Sequence, residues 1–248
     1  AGIHENRRDL KNAFIYWGRL FRENPAEAEV EAQLLRVAAL GPFWQDLVEL
    51  LDAAAEDVYD SALRKHLVLK IAELYEISLE DSAKAIKTLH KGIDAAPGDR
   101  DILAQLDRLL TEAQKFEDLQ EVLRAEADAS EGREKVQFLH RLGSLLLHSF
   151  KRGEEAVEVW QEALSVEPEN EPVLREMEQL LESGGDLVPK VVEVLEPLYE
   201  SRQAHDKLVH LLEIRVKLAE DAAEKAELLE RASRICQLSG SLDRSVDL

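Results

Sequence analysis

The chain has 248 residues, with 51 Asp and Glu against 31 Lys and Arg, a net charge of −20, 45% hydrophobic residues and a single Cys. Leu (41), Ala (29), Glu (34) and the Lys and Arg make up about half of it, a bias that belongs to long helices and excludes an all-β fold. The charge argues against nucleic acid and anionic membrane as partners, since both need a dense Lys/Arg face, and lone Cys236 excludes an internal disulfide or a multi-Cys zinc cage.

Apolar periodicity, capping residues and prolines predict helices in chain order at 9–22, 26–39, 44–56, 60–77, 82–95, 99–113, 116–129, 133–149, 153–166, 171–183, 186–200, 205–220 and 222–238, with another from 242 onward. The helix at 9–22 carries Ala13, Trp17 and Leu20, followed by Pro25. The helix at 82–95 repeats this with Ala85, Leu89, Gly92 and Pro97, and the helix at 153–166 with Ala156, Trp160, Ala163 and Pro168, starts 72 and 71 residues apart. Offsets 0, 4 and 7 share one helical face, where small residues admit a neighbouring helix and the large one fills the gap; proline then stops the helix.

A second pattern precedes each of these. Val68, Ile71, Ala72 and Tyr75 match Leu139, Leu142, Gly143 and Leu146, and Leu229, Ala232, Ser233 and Cys236 form a third instance. Together they make helical hairpins of about 35 residues that resemble the tetratricopeptide repeat family. One residue is inserted relative to that family's unit between Tyr75 and Ala85, and again between Leu146 and Ala156. Degenerate hairpins alternate with these: Leu34 and Ala38 with Leu47 and Leu51, then Leu106 and Leu110 with Leu119 and Leu123, so the full period is a pair of hairpins, about 72 residues. A third degenerate hairpin, Val192, Leu195 and Tyr199 with Leu208 and Leu212, arrives about 17 residues late; it leaves 171–183 without a hairpin partner and puts Pro197, a kinking residue, inside a helix.

The expected architecture is therefore an all-α, right-handed α-solenoid of about 13–14 helices stacked as antiparallel hairpins, a single array over 1–248 with an extra helix near 171–200. Both ends cut a hairpin, which suggests an excised piece of a longer array. A chain beginning at Ala1 is also compatible with a removed leader, and the expected location is cytoplasmic.

No enzymatic constellation stands out, and no cofactor or metal is expected. His140 and His148 are eight residues apart on one helix, about 12 Å, too far to share an ion. Ser78, Ser149, Ser165 and Ser201 lie near predicted helix ends and read as caps, and Cys236 reads as a small packed residue.

In the resembled family, partners lie in the concave groove lined by the first helix of each hairpin. Carried over by alignment, this implies His66, Leu69, Glu73 and Glu76; Asp101 and Arg108; Gln137, His140 and Ser144; Glu193; and Glu227, Glu230 and Arg234 as partner-binding positions. Acids outnumber bases among them. The resemblance implies a non-catalytic scaffold for a protein or peptide partner, and the acid excess is compatible with a partner that carries a basic patch. Two other roles remain open: a regulatory or substrate-recruiting segment of a larger enzyme, and a structural repeat that assembles end to end.

Overall fold

The computed structural model describes residues 9–239, and every regular element among them is a helix. The chain divides into two compact units, Ala1–Ala129 and Ser130–Leu248. The first contains α1 (Leu10–Glu23), α2 (Ala28–Leu40), α3 (Trp44–Asp57), α4 (Ser61–Glu73, extended by a π-turn at Leu74–Ser78), α5 (Ser82–Ala95), α6 (Arg100–Glu112) and α7 (Phe116–Asp128). The second contains α8 (Gly132–His148), α9 (Gly153–Val166), α10 (Glu171–Ser183), α11 (Val188–Ser201), α12 (His205–Leu218) and α13 (Ala222–Ser239). The helix expected from 242 onward lies outside the described residues. None of the described helices is long and apolar enough to cross a membrane.

Asp and Asn side chains cap the starts of five of the helices. The side chains of Asp9, Asp60, Asp81, Asp99 and Asn170 accept hydrogen bonds from backbone N–H groups in the first turns of α1, α4, α5, α6 and α10, satisfying donors that a helix start leaves orphaned. Of the serines expected near helix ends, Ser165 and Ser201 serve C-terminal turns: their hydroxyls donate to the carbonyls of Glu162 and Leu198, at 2.6 and 2.9 Å. A hydroxyl both donates and accepts, so helix-end proximity alone does not say which terminus it serves.

The two single-residue insertions have one structural answer. At the end of α4 the Leu79 N–H reaches the Leu74 carbonyl (3.0 Å) and Asp81 N–H that of Tyr75 (2.7 Å), with Glu80 at φ 52°. At the end of α8 the Phe150 N–H reaches Leu145 (3.4 Å) and Arg152 that of Leu146 (2.9 Å), with Lys151 at φ 57°. A widened last turn closed by a left-handed residue thus absorbs the extra residue twice. Gln114 and Gln203, at φ 54°, occupy the corresponding place in the α6–α7 and α11–α12 turns.

The repeat positions form the core. Ala13, Ala85, Leu89, Ala156, Trp160 and Ala163 are fully buried. Gly143 of α8 lies flat against the Trp160 indole of α9; a Cβ there would sit 2.2 Å from Nε1. The glycine is what lets this ring pack, and the indole N–H donates to the His140 carbonyl at 3.3 Å.

The odd helix is absorbed by strict alternation. α10 lies beside α8 on one side, with Glu176 facing His140 and His148 at 3.9 and 3.8 Å, and beside α12 on the other, where Lys207 meets Glu178 at 2.8 Å. α11 joins the row of α9, with Lys190 on Glu158 at 2.6 Å, and α13 follows it, with Arg231 binding Glu196 and Glu200. Helices joined by short turns must alternate between rows, so one extra helix exchanges the rows of all that follow. Helices α11 and α13, which bear first-helix sequence patterns, therefore stand in the second-helix row.

Candidate partner-binding cavity

In the first unit, α4 and α6 are consecutive first helices, and a cavity of about 680 Å³ opens between them. His66, Leu69, Glu73 and Glu76 follow one another at steps of three and four along α4 and its π-turn, which puts them on one face; Asp101, Gln105 and Arg108 do the same on α6. All seven line the cavity. Its floor is apolar, from buried Ala72, Leu89 and Leu109 together with half-buried Leu69. The π-turn carries Ile77 to the rim, where this large aliphatic side chain is 69% exposed.

The charges around the cavity are matched. The Arg108 guanidinium holds the Glu76 carboxylate by two bonds of 2.7 and 2.6 Å and also reaches Glu112 and Gln105. This bidentate bond keeps the Glu76 carboxyl below its usual pKa and raises that of Arg108. Lys70 pairs with Glu73 at 2.6 Å, and Lys65 with Asp101 and Asp99 at 2.5 and 3.0 Å, which raises the Lys65 ammonium pKa. His66 Nε2 lies 2.8 Å from Glu31 of α2. The acid excess counted along the groove positions is thus offset by Lys65 and Lys70, which sit on α4 but outside the aligned set. The lining contains neither a hydroxyl nor a thiol, and its lysine is engaged by Glu73.

The other sequence-derived positions are placed differently. Gln137, His140 and Ser144 lie on α8 of the second unit; Ser144 Oγ donates back to the His140 carbonyl at 3.0 Å. His140 and His148, too far apart along α8 to share an ion, both face the Glu176 carboxylate, at 3.9 and 3.8 Å. Burial pushes the His140 imidazole below its ordinary pKa, and the Glu176 charge opposes that. Glu193 on α11 and Glu227, Glu230 and Arg234 on α13 are exposed in the row of α9, with Glu230 and Arg234 paired to each other. They are not on the same row of helices as Gln137, His140 and Ser144.

Residues that the alignment passed over, Glu178 on α10 and Lys207 and His210 on α12, occupy that row instead. They line a cleft of about 250 Å³, which Tyr199 of α11 also lines. Tyr199 Oη donates to Glu178 at 2.6 Å, and Lys207 binds the same oxygen. Burial raises the Tyr199 pKa; burial also pushes Glu178 up, but Lys207 and Tyr199 outweigh it and leave this carboxyl below its ordinary value. The signal that could have found them is the 89-residue step from Phe116 to His205 in place of 72. Among the described residues, no group of three or more His, Cys, Asp or Glu side chains could hold a metal ion, and Cys236 is buried.

Solved structures similar to this chain include the following three. YrrB, a TPR protein with an unusual peptide-binding site, is 13% identical, covering 72% of this chain and 88% of its own, with a TM-score of 0.38. A TPR repeats protein from Bacteroides fragilis is 17% identical over 94% of this chain and 95% of its own, TM-score 0.40. MamA MSR-1 C2 is 19% identical over 77% and 97%, TM-score 0.33. No protein-family model and no curated protein matches the sequence.

Proposed function

We propose that the protein is a non-catalytic scaffold that holds a peptide or protein segment in the α4–α6 cavity. The observation that carries this reading is an apolar floor of Leu69, Leu89 and Leu109 under a rim of polar side chains, with Ile77 largely exposed at its mouth. At about 680 Å³ the cavity is in the range of roughly 300–1,000 Å³ typical of ligand-binding clefts. Burying Ile77 and Leu69 against a partner's aliphatic or aromatic side chain supplies the affinity. The Gln105 amide donates or accepts and the paired carboxylates accept at the edges, and together they set orientation. Because the rim charges are already matched, the net charge of −20 acts on the approach of a basic partner more than on its seating.

Selection of a random peptide library on the intact chain tests this, followed by affinity measurement on two double variants. Leu69→Ser with Ile77→Ser should weaken the selected peptides by about tenfold or more, and Val166→Ser with Leu218→Ser, exposed positions of the second unit, should leave them unchanged. Failure of any peptide to enrich, or equal losses from both pairs, rejects the cavity as the binding site.

A further inference from the structure

The first unit has a second concave surface, of opposite polarity, between α1 and α3. A groove of about 480 Å³ is walled there by Phe14, Ile15 and Leu50. Gly18 of α1 is buried at its base, where a Cβ would lie 3.4 Å from Leu50 Cδ2, so the two helices run close together below an open mouth. Ile15 is 42% exposed and its neighbour Tyr16 48%. Phe14 stacks on Phe43 at the start of α3, ring centroids 5.2 Å apart, which fixes the far wall.

Lys11, Ile15, Arg19 and Arg22 follow at steps of four, four and three, a single stripe of α1 along the groove. None of the three cations has an ion-pair partner among the described residues, in contrast to Lys65, Lys70 and Arg108 on the α4–α6 surface, all of which are paired. Asp46 and Glu49 of α3 also line the groove, and Glu49 accepts a bond from Gln45. In a chain of net charge −20, this groove is a place where unpaired cations border exposed apolar surface. Such a surface complements a helix with an apolar stripe flanked by carboxylates.

We propose that the α1–α3 groove docks an acidic amphipathic segment of a partner protein, its apolar stripe against Phe14, Ile15 and Leu50 and its carboxylates on Lys11, Arg19 and Arg22. This does not depend on the α4–α6 cavity. The probe is a labelled amphipathic peptide of about 16 residues, with Leu on one helical face and Glu on its flanks, titrated against the intact chain by fluorescence anisotropy. A counterpart carries Lys for Glu. The triple variant Lys11→Glu, Arg19→Glu, Arg22→Glu should weaken the Glu peptide by about tenfold or more. The control triple Lys87→Glu, Lys91→Glu, Lys115→Glu, at exposed positions of the same unit, gives the same net charge and should have an effect of about threefold or less. Far-UV circular dichroism verifies that both triples keep their helices. Equal losses from the two triples, no binding of the Glu peptide, or equal binding of the Lys peptide overturns the proposal. So does a dimer, seen by sedimentation of the chain alone, that the first triple abolishes, because a second copy would then own the groove.

Discussion

Three helical glycines provide a graded test of the packing. Alanine is favoured over glycine inside a helix by about 1 kcal/mol, so a Gly→Ala change is stabilising wherever the added methyl finds room. At Gly18 the new Cβ meets only Leu50 Cδ2, at 3.4 Å, and Gly18→Ala should be neutral or stabilising by up to about 1 kcal/mol. At Gly92 it meets Val68 Cγ1 at 2.8 Å and Ile102 Cδ1 at 3.2 Å; these are side-chain tips that can shift, so the two effects should nearly cancel. At Gly143 it meets the Trp160 ring at 2.2, 2.6 and 2.7 Å. Restoring contact requires the ring to retreat by about 1 Å, yet Trp160 is fully buried and its N–H is held by the His140 carbonyl. Overpacking of this kind costs about 1–3 kcal/mol, and the lost hydrogen bond adds to it, so Gly143→Ala should be destabilising by about 2 kcal/mol net of propensity. Urea titrations followed by far-UV circular dichroism and tryptophan fluorescence read all three. A Gly143→Ala midpoint at or above that of the parent would mean that the α8–α9 contact is not packed as described.

Other expectations concern the same contacts and the titrating groups. Trp160→Ala should cost roughly 3–5 kcal/mol through the cavity it leaves and Ala156→Leu roughly 1–3 kcal/mol through overpacking, both by urea titration; unchanged midpoints would place these side chains at the surface. Because burial lowers the His140 pKa, the unfolded chain takes up its proton first as the pH falls below about 6.5, so this residue makes stability decline from there until its folded pKa is passed. Comparing urea midpoints at pH 7.5 and 5.5, His140→Gln should show a smaller decline than the parent; an equal or steeper decline contradicts the assignment. Glu76 has the opposite origin, a carboxylate favoured by Arg108: its contribution is present above its ordinary pKa and is lost as the pH falls through the lowered one. As the pair is partly exposed, Glu76→Gln should cost no more than about 1 kcal/mol at pH 7 and almost nothing at pH 2; a larger loss at neutral pH would show that the pair is more deeply desolvated.

The helices were legible because small and large apolar residues at steps of three and four, with Pro25, Pro97 and Pro168 as stops, leave few other solutions. Ala13, Ala85 and Ala156 lie in the core for that reason. Six of the α4 and α6 positions carried over from the repeat meet at one cavity, since within a hairpin pair the register is local. The positions on α11 and α13 do not join the α8 row because row membership is a counting property. An extra helix at 171–183 shifts everything after it, although Leu195, Tyr199 and Cys236 still look locally like first-helix residues. Charge balance was equally hidden: Lys65 and Lys70 stand off the aligned stripe, and only side-chain reach brings them to Asp101 and Glu73. The widened turns at Leu74–Ser78 and after Leu145 show the reverse case, an inserted residue visible in the sequence whose conformational meaning emerges only from its hydrogen bonds.

Docking in the α4–α6 cavity is tested most directly by paramagnetic relaxation. A peptide selected on the intact chain is given a nitroxide next to its apolar anchor, and the methyl signals of the protein are followed on binding. The methyls of Leu69, Ile77 and Leu109 should broaden at the lowest peptide concentrations. Broadening that begins on α8–α13, with these three methyls unaffected, would contradict the account.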